Sequence, residues 1–368
     1  MNLAIDHYRN KITVLKILSL LFAVSSACAE TTSMANLEQG TGSEAHVMHL
    51  ASEHDLTFGA DITLIGQKTD DRPDGSVLNY SVDLAFESNL GDQGKAFIYL
   101  IDAEGQTIDT DAGSGSPNAD FEAEPGGSEL RVAEAWYEVP LGETSSMRVG
   151  KIDTTGIYDG NDFANDQTTQ FLADAFVNNG AIGFPDYSPG LNFNYRIKDS
   201  ISLNAGVFES TSSDTYLAGT ASDAFSIAEL ALHGQLVRDL NGNLRLTVWH
   251  DDAIHNEGAA LNADQLLSDN IGVFVRYGSQ KKTQEFDRAL SLGGQWSSKD
   301  DVTGIGYSIA YATGVVGRDN ERQLEVYYSH AVTAHVHVTA DIQHVTNPGF
   351  SKSQDDATVY GVRVQTDL

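Results

Sequence analysis

The chain has 368 residues, and its 52 acidic against 22 basic side chains give a formal net charge of −30. A surface this acidic repels nucleic acid and anionic membrane surfaces, so nucleic acid is not an expected partner. A single cysteine, Cys28, excludes a disulfide framework.

Residues 1–29 have the three parts of a Sec signal peptide. Basic residues precede the apolar run ILSLLFAV at 17–24, which is too short to span a bilayer as a helix. The sequence Ala-Cys-Ala at 27–29 matches the A-x-A cleavage pattern, so the exported chain is expected to begin at Glu30. An uncleaved membrane anchor and a lipoprotein acylated at Cys28 stay open as alternatives.

The exported chain is expected to consist of a polar leader, residues 30–53, and one domain, residues 54–368. It would have 368 − 29 = 339 residues, and loss of the signal's net +2 takes the charge to −32. No stretch after residue 29 approaches the roughly 20 apolar residues of a transmembrane helix. A helical membrane bundle is therefore excluded.

Apolar and polar residues alternate with a period of two from residue 54 to the end of the chain. In 77–87, for example, Leu78, Tyr80 and Val82 share one face. About fifteen such segments, most of 9–13 residues, are separated by turn-rich stretches such as 70–75, Asn241-Gly242 and 347–349.

Strands of this length with one apolar face indicate an all-β protein, a transmembrane outer-membrane β-barrel of about sixteen antiparallel strands. Fourteen strands stay possible, and the rival fold is a secreted β-sandwich. The barrel is favoured by a final segment, 358–368, that could pair with the first strand. It is also favoured by tyrosines on the apolar face near strand ends, as an interfacial girdle requires: Tyr277, Tyr307, Tyr311, Tyr328 and Tyr360.

The stretch at 156–188 interrupts the alternation. Its middle, Thr168 to Phe176, is predicted to form one or two helical turns, and its phenylalanines argue against disorder. In a barrel, such apolar groups can be buried only against the pore wall. We therefore expect an inward-folded loop that narrows the channel.

Several motifs resemble the carbohydrate-selective porins of the OprB type. The resemblance covers roughly 129–210 and 269–368. Its motifs are ELR at 129–131, AEAWYE at 133–138, VGKID at 149–153, NDQTTQFL at 165–172, AFVNN at 175–179, FP at 184–185, DNIGVFVRYG at 269–278, LGG at 292–294, EVYY at 325–328, DIQHVTNPG at 341–349 and YGVRVQ at 360–365. The resemblance implies a channel of about sixteen strands through the outer membrane of a Gram-negative cell. Sugars would diffuse through it without energy input, and the long insert would be the constriction loop.

A sugar filter needs planar donors and acceptors and flat apolar faces. Lumen-facing positions of these types are predicted to line the pore: Asn192, Asn194, Arg196, Arg245, Trp249, Phe274, Arg276 and Arg363. The inward arginines could instead neutralise lumenal carboxylates, and Trp249 could anchor the mouth. Candidates in the constriction loop are Asp166, Gln167, Gln170, Phe171, Phe176, Asn178 and Asn179.

The predicted function is passive diffusion of mono- or small oligosaccharides, without catalysis, cofactor or metal. Expected partners are sugars as permeants and outer-membrane lipid and lipopolysaccharide, with the chain a monomer or a trimer. Because the chain is acidic, a general cation-preferring porin is the alternative. A barrel-borne enzyme or a soluble sugar-binding sandwich also stays open.

Overall fold

The computed structural model describes residues 56–70, 75–105, 108, 116–119, 130–210, 223–237, 239–281, 286–314 and 317–367. The expected signal peptide, the leader at 30–53 and most of the acidic connection between 105 and 130 lie outside the described residues. Among the described residues, no helix has the length and apolar character needed to cross a membrane.

Sixteen antiparallel strands form one closed barrel in which each strand pairs with its neighbours in sequence. The first and last strands close the sheet, with Leu64 opposite Val364. The expected pairing of the last strand with the first is therefore confirmed, as is sixteen rather than fourteen strands. The strands are β1 Leu56–Thr69, β2 Ser76–Asn89, β3 Lys95–Glu104, β4 Arg131–Pro140, β5 Ser145–Ile152, β6 Ser188–Lys198, β7 Ile201–Glu209, β8 Ala224–Val237, β9 Leu240–Asp251, β10 Asn256–Ser268, β11 Ile271–Gln280, β12 Phe286–Ser297, β13 Asp301–Ala312, β14 Glu321–Thr333, β15 Val336–Thr346 and β16 Ala357–Asp367.

The two faces of the sheet differ as the alternation predicts. On β2 the polar Asn79 and Ser81 are buried inside the barrel, whereas Leu78, next to Asn79, is 58% exposed on the outside. On β9 Thr247 is buried and Val248 is exposed. A barrel in lipid needs an apolar outer face and tolerates a polar lumen, which explains this pattern.

Short and long connections alternate around the barrel. At one rim they run from two residues, as at 199–200, to five at 90–94. The expected turn at Asn241-Gly242 is wrong, because both residues lie in β9 and Val237 pairs directly with Leu240. The hairpin turns before Leu240, where Asp239 takes a φ of 58°. Aspartate tolerates this left-handed backbone, so it serves the turn as well as the glycine would.

The longest connection, residues 153–187, joins β5 to β6 and folds into the lumen; we call it the constriction loop. Its helix, α1, covers only Asp174–Val177, shorter than the expected 168–176. Asp166 accepts hydrogen bonds from the N–H of Thr168, and Gln170 accepts from the N–H of Asn165. These side chains satisfy backbone donors in compact turns and so compete with helix formation. Two 3-10 turns, Gly91–Gln93 and Pro348–Phe350, complete the described elements.

Glycines in the wall make room for the loop. A Cβ on Gly306 of β13 would lie 2.7 Å from Phe176, and one on Gly272 of β11 would lie 2.2 Å from Phe163. The loop aromatics pack against the wall in two apolar clusters that form the core of the barrel. One includes Ile152, Tyr158, Ile182, Phe208, Phe225 and Trp249, and the other includes Phe171, Ala173, Phe176, Phe274 and Tyr327.

Candidate functional site

Arg276 of β11 is the main anchor of the constriction loop. Its side chain is 1% exposed, and its Nε lies 2.9 Å from Asp159 Oδ2. The guanidinium also donates to the carbonyl oxygens of Ala164 and Phe176 and to Asn165 Oδ1. One arginine therefore ties three separate parts of the loop to the wall.

Two aspartates of the loop lie along this contact, Asp159 buried and Asp162 half-buried. Burial raises the pKa of the Asp159 carboxyl, and the neighbouring Arg276 charge opposes that shift. Burial, followed by the charge of Asp264, raises the pKa of Asp162. Asp264 belongs to β10 and is paired at 3.1 Å with Arg245. The loop thus places its carboxylates close to a carboxylate of the barrel wall, Asp264.

The middle of the loop is held by side chains of β14 and β16. Glu325 accepts hydrogen bonds from the N–H groups of Leu172 and Ala173, at 2.6 and 2.9 Å, just before α1 begins. Arg363 is fully buried and donates to the carbonyl oxygens of Gln167 and Gln170. A carboxylate on free N–H groups and a guanidinium on free carbonyls stabilise a loop with little regular structure of its own.

The start of the loop is hydrogen-bonded to β6, β8 and β10. Tyr158 donates to Asn192 Oδ1 of β6 at 2.5 Å, and the N–H of Asp159 donates to Glu229 of β8 at 2.8 Å. Asn161 donates to Asn262 of β10 at 2.7 Å. The attachments thus run from β6 around to β16.

A second connection reaches the same region. In residues 116–119, between β3 and β4, Pro117 O accepts hydrogen bonds from Gln67 of β1 and Gln343 of β15, at 3.0 and 2.9 Å. The N–H of Ala119 donates to Leu172 O of the constriction loop at 2.7 Å. The two connections together cover the wall on the β1, β15 and β16 side.

Beside the loop, a cavity of about 270 Å³, which we call the eyelet, lies against β2 to β7. Its lining consists of Glu87, Phe97, Glu134, Trp136, Glu138, Ser146, Arg148, Asp153, Gly156, Ile157, Asn192, Asn194 and Asn204. This volume is slightly below the roughly 300–1,000 Å³ typical of small-molecule pockets, so the eyelet has the size for one small ring system.

A stack of three side chains forms one wall of the eyelet. Phe97 of β3 stacks on Trp136 of β4 with ring centroids 4.9 Å apart. The guanidinium carbon of Arg148, from β5, lies 3.7 Å from the centre of the indole. Glu138 binds both Nε and Nη2 of this arginine at 3.0 Å. Arg148 is thereby held flat in one orientation, with Nη1 unpaired among the described residues.

Three asparagines continue this wall. Asn192 is the register partner of Arg148, and Asn194 is the partner of Ser146. Asn194 donates to Asn204 Oδ1 at 2.9 Å. Because Tyr158 occupies Asn192 Oδ1, the amide nitrogen of Asn192 is left as a donor at the eyelet. The wall therefore presents planar donors and acceptors in a fixed row.

Of the eight side chains predicted to line the pore, Asn192 and Asn194 lie at the eyelet. The prediction that Arg276 and Arg363 line the pore is wrong, because both side chains are buried and donate to carbonyl oxygens of the loop. Arg245 is paired with Asp264 beside the loop's Gly160.

The other three predicted positions also differ from expectation. Trp249 and Phe274 are each 4% exposed within the apolar clusters beneath the loop. Trp249 is therefore packed beneath the loop and is not exposed as an anchor at the mouth. Arg196 is exposed near the short-turn rim and donates to Glu143 O at 2.7 Å. Strand parity correctly put most of these side chains on the inner face, but the loop covers that face.

The loop residues named from the sequence hold the loop in place instead of lining the eyelet. Phe171 and Phe176 are fully buried, with ring centroids 5.0 Å apart. Asn179 is buried, and its N–H donates to Asp159. The remaining candidates, Asp166, Gln167, Gln170 and Asn178, make the turn and anchor contacts of the loop. The loop residues that do line the eyelet are Asp153, Gly156 and Ile157.

Sequence reasoning missed Phe97, Trp136 and Arg148. Their parity was the available signal, since Trp136 shares its face with Glu134 and Glu138. It was obscured by an irregularity in the β3–β4 pairing at Tyr99 and Leu100. Only the register, which places Phe97 opposite Trp136 and Glu138 opposite Arg148, brings the stack together.

The model of the carbohydrate-selective porin family OprB matches residues 74–256 and 254–368. Among solved structures, the OprB of Pseudomonas putida at high pH superposes with a TM-score of 0.74 at 16% identity, over 85% of this chain and 94% of that one. A triple mutant of the Rhodopseudomonas blastica porin superposes with a TM-score of 0.58 at 13% identity, over 85% of this chain and all (100%) of that one. At these identities the superpositions show the fold alone.

An uncharacterised protein of Aquifex aeolicus (strain VF5) is 26% identical over 199 residues. The alignment covers 54% of this chain and 59% of that relative. The assignment of the chain to a family therefore rests on the match to the family model.

Proposed function

Since the chain belongs to the OprB family of carbohydrate-selective porins, we propose that sugars cross the outer membrane by passive diffusion through the eyelet. The observation that supports this most directly is the wall of the eyelet, where Arg148 and the amides of Asn192 and Asn194 are fixed in one row. Sugar hydroxyls pair well with such planar groups, and Arg148 is pre-organised, so little side-chain entropy is lost on contact.

The route to the membrane is part of the same proposal. Residues 1–29 direct export and are removed, residues 30–53 form a leader, and the barrel domain extends over 54–368. The apolar outer face, with side chains such as Ile305 and Val362 more than half exposed, suits contact with lipid.

Proteoliposome swelling tests the proposed function. We expect glucose to enter faster than an amino acid of similar size. Replacing Arg148 with lysine keeps the charge but removes the planar fork, so sugar entry should fall several-fold while KCl conductance changes by less than about twofold.

Arg288→Lys is the matched control. Arg288 also lies over an aromatic ring, Tyr311 at 5.1 Å, and beside a carboxylate, Asp287 at 3.4 Å, but it does not line the eyelet. Equal loss of sugar entry in both variants would contradict the proposed role of Arg148.

A general cation-preferring porin is the second candidate, favoured by four carboxylates in the eyelet lining: Glu87, Glu134, Glu138 and Asp153. Swelling rates ordered by solute size alone would support this candidate over a sugar filter.

A further inference from the structure

We propose that Trp136 is a positioning residue for sugar selection. Its indole does not contact the permeating sugar but supports Arg148, and the sugar is bound through its hydroxyl groups at the guanidinium. This inference rests on the proposed passage of sugars through the eyelet. It specifies which part of the sugar is recognised, since a free tryptophan face would instead stack against the C–H face of the ring.

Both faces of the indole are covered by the protein. Phe97, from β3 on one side of β4, stacks on Trp136 with an interplanar angle of 27°. Arg148, from β5 on the other side, places its guanidinium carbon 3.7 Å from the centre of the ring. Because these two groups come from strands on opposite sides of β4, they cover opposite faces. The indole is therefore enclosed between two side chains of the wall.

The edge of the indole is in contact with the protein as well. Nε1 donates a hydrogen bond to Glu134 Oε2 at 3.1 Å, and only 9% of Trp136 is exposed. Indole has a single donor and no acceptor, so a tryptophan whose Nε1 is already bonded offers little to a sugar hydroxyl. The contribution of Trp136 to sugar selection therefore depends on the group stacked upon it.

The wall beside Trp136 is shaped for this stack. Gly150 of β5 is the register partner of Trp136, and a Cβ there would lie 2.9 Å from the Cβ of Trp136. The missing side chain lets the indole lie close to β5, the strand that carries Arg148. The two residues can therefore approach to stacking distance.

Arg148 needs a support besides its ion pair. Its Nε and Nη2 both bind the same oxygen of Glu138, Oε2, at 3.0 Å. A fork that binds two oxygens is fixed in one plane, whereas a pair centred on one oxygen leaves the guanidinium free to tilt about it. The indole removes this freedom, because a guanidinium is attracted to lie over a tryptophan face.

A guanidinium fixed in this way is ready to bind hydroxyl groups. Nη1 of Arg148 has no partner in the described part of the chain, and the residue lines the eyelet in register with Asn192 of β6. A flexible arginine would lose rotamer freedom each time it bound a sugar, and one that is already held loses less. Trp136 thus acts on the sugar through Arg148.

Proteoliposome swelling measures the ratio of glucose entry to the entry of an amino acid of similar size. Trp136→Leu removes the aromatic face, and we expect this ratio to fall about threefold to tenfold, which corresponds to loss of a partly desolvated cation–π contact. KCl conductance in planar bilayers should change far less than this ratio. Trp136→Phe retains a smaller aromatic face and should keep most of the preference for glucose.

A double-mutant cycle with Arg148→Met separates positioning from direct contact. If Trp136 acts only through the guanidinium, Trp136→Leu should lower the ratio in the parent and leave it unchanged in the Arg148→Met background. An equal loss in both backgrounds would show that the indole contacts the sugar itself or only shapes the opening, and would overturn the inference. A loss in Trp136→Phe as large as in Trp136→Leu would also overturn it, because the bond from Nε1 to Glu134 would then be the feature that matters.

Tyr311→Leu is the matched control. It removes a ring beneath another arginine, Arg288 at 5.1 Å, and neither residue lines the eyelet. The control should keep the ratio of the parent, and a fall equal to that of Trp136→Leu would overturn the inference. Trp136→Met takes the place of the leucine variant if that variant fails to fold, as judged by heat-modifiable migration, because methionine fills irregular space.

Failure of this inference and failure of the proposed function give different results. A parent protein that admits glucose no faster than the size-matched amino acid overturns the proposed function itself. A parent that prefers glucose, but in which Trp136 and Arg148 show no coupling in the cycle, overturns only the positioning role of Trp136.

Discussion

At the residue scale, arginines of the lumen have two different roles. Arg276 and Arg363 are fully buried and donate hydrogen bonds to carbonyl oxygens of the loop. Arg148 is 23% exposed and keeps part of its guanidinium for the channel. The difference depends on the position of each side chain relative to the loop. Arg276 and Arg363 lie beneath the loop and contact its backbone carbonyls, whereas Arg148 lies beside the loop and is partly exposed to solvent.

Replacing Arg276 with methionine should loosen the constriction loop. It removes the bonds to Ala164, Phe176 and Asn165 and leaves Asp159 buried without its cation, at a cost of about 3–5 kcal/mol. We expect higher single-channel conductance and weaker preference for sugars over salt, measured in planar bilayers. Arg288→Met controls for loss of an exposed arginine, and unchanged conductance in the Arg276 variant would show that the loop is held otherwise.

Asp162 should make the loop's stability depend on pH. Its pKa is raised by burial and by Asp264, so the folded protein binds this proton more tightly than the unfolded chain does. The ionised group therefore destabilises the folded state at neutral pH, and this cost disappears as the pH falls through the raised pKa. Asp162→Asn should unfold at a higher temperature than the parent at pH 7, and the gap should close in acid.

Asp319→Asn is the control, for which we expect the opposite effect on stability at neutral pH. The N–H of Asn320, then Lys352, lowers the pKa of this exposed carboxyl. The parent should be slightly the more stable at neutral pH, and that advantage should vanish as the pH falls through the lowered pKa. Thermal melts of both variants across pH, monitored by circular dichroism, check the two signs, and a pH-independent gap for Asp162→Asn would contradict its assignment.

At the element scale, the constriction loop and the wall beneath it are matched in shape. Gly306 lies under Phe176, and Gly304 of the same strand lies under Tyr327, where a Cβ would come within 2.1 Å. These glycines, spaced by two within β13, are inner-face positions whose lack of a side chain lets aromatic rings sit against the backbone. The loop is thus a packed element of the core.

Gly306→Ala should displace the loop's aromatic pair. The added Cβ would lie 2.7 Å from Phe176 and 3.0 Å from Phe171, and overpacking of this kind costs about 1–3 kcal/mol. We expect a lower unfolding temperature. Gly314→Ala, where no atom lies within 4 Å of the new Cβ, should leave it unchanged. Equal effects of both substitutions would show that backbone entropy rather than packing is responsible.

At the scale of the whole molecule, the barrel separates two solvents. Its outer face carries exposed apolar side chains such as Leu78, Val248 and Ile305, and its lumen holds the polar ones. Closure of β1 on β16 leaves no unpaired edge in the described sheet, as a spanning sheet in lipid requires. The tyrosines predicted for a girdle include Tyr277, Tyr328 and Tyr360, all exposed on this outer face.

Ile305→Arg tests the lipid-facing assignment. Ile305 is 55% exposed near the middle of β13, where an arginine on the lipid face of a barrel costs about 2–4 kcal/mol. We expect reduced folding into lipid vesicles, measured by heat-modifiable migration against urea. The control is Ser353→Arg, an exposed position in the connection before β16, and the Ile305 variant folding as well as this control would contradict a bilayer around β13.

The alternation of side chains by itself determined the strands, their inner and outer faces, and the presence of a long inward loop, because period two follows directly from strand geometry. Asn192 and Asn194 were assigned to the pore on that basis and do lie at the eyelet. Turn positions were predicted less well, since the β8–β9 hairpin turns at Asp239 and not at Asn241-Gly242.

Only the tertiary structure decided which inner residues meet the channel. Parity places Arg276, Arg363 and Phe274 on the same face as Asn192, yet a loop distant in sequence covers the first three. The stack around Trp136 likewise depends on register between three strands. Contacts between segments far apart in the chain have no local signature, because they depend on how the loop packs and not on the period of any one strand.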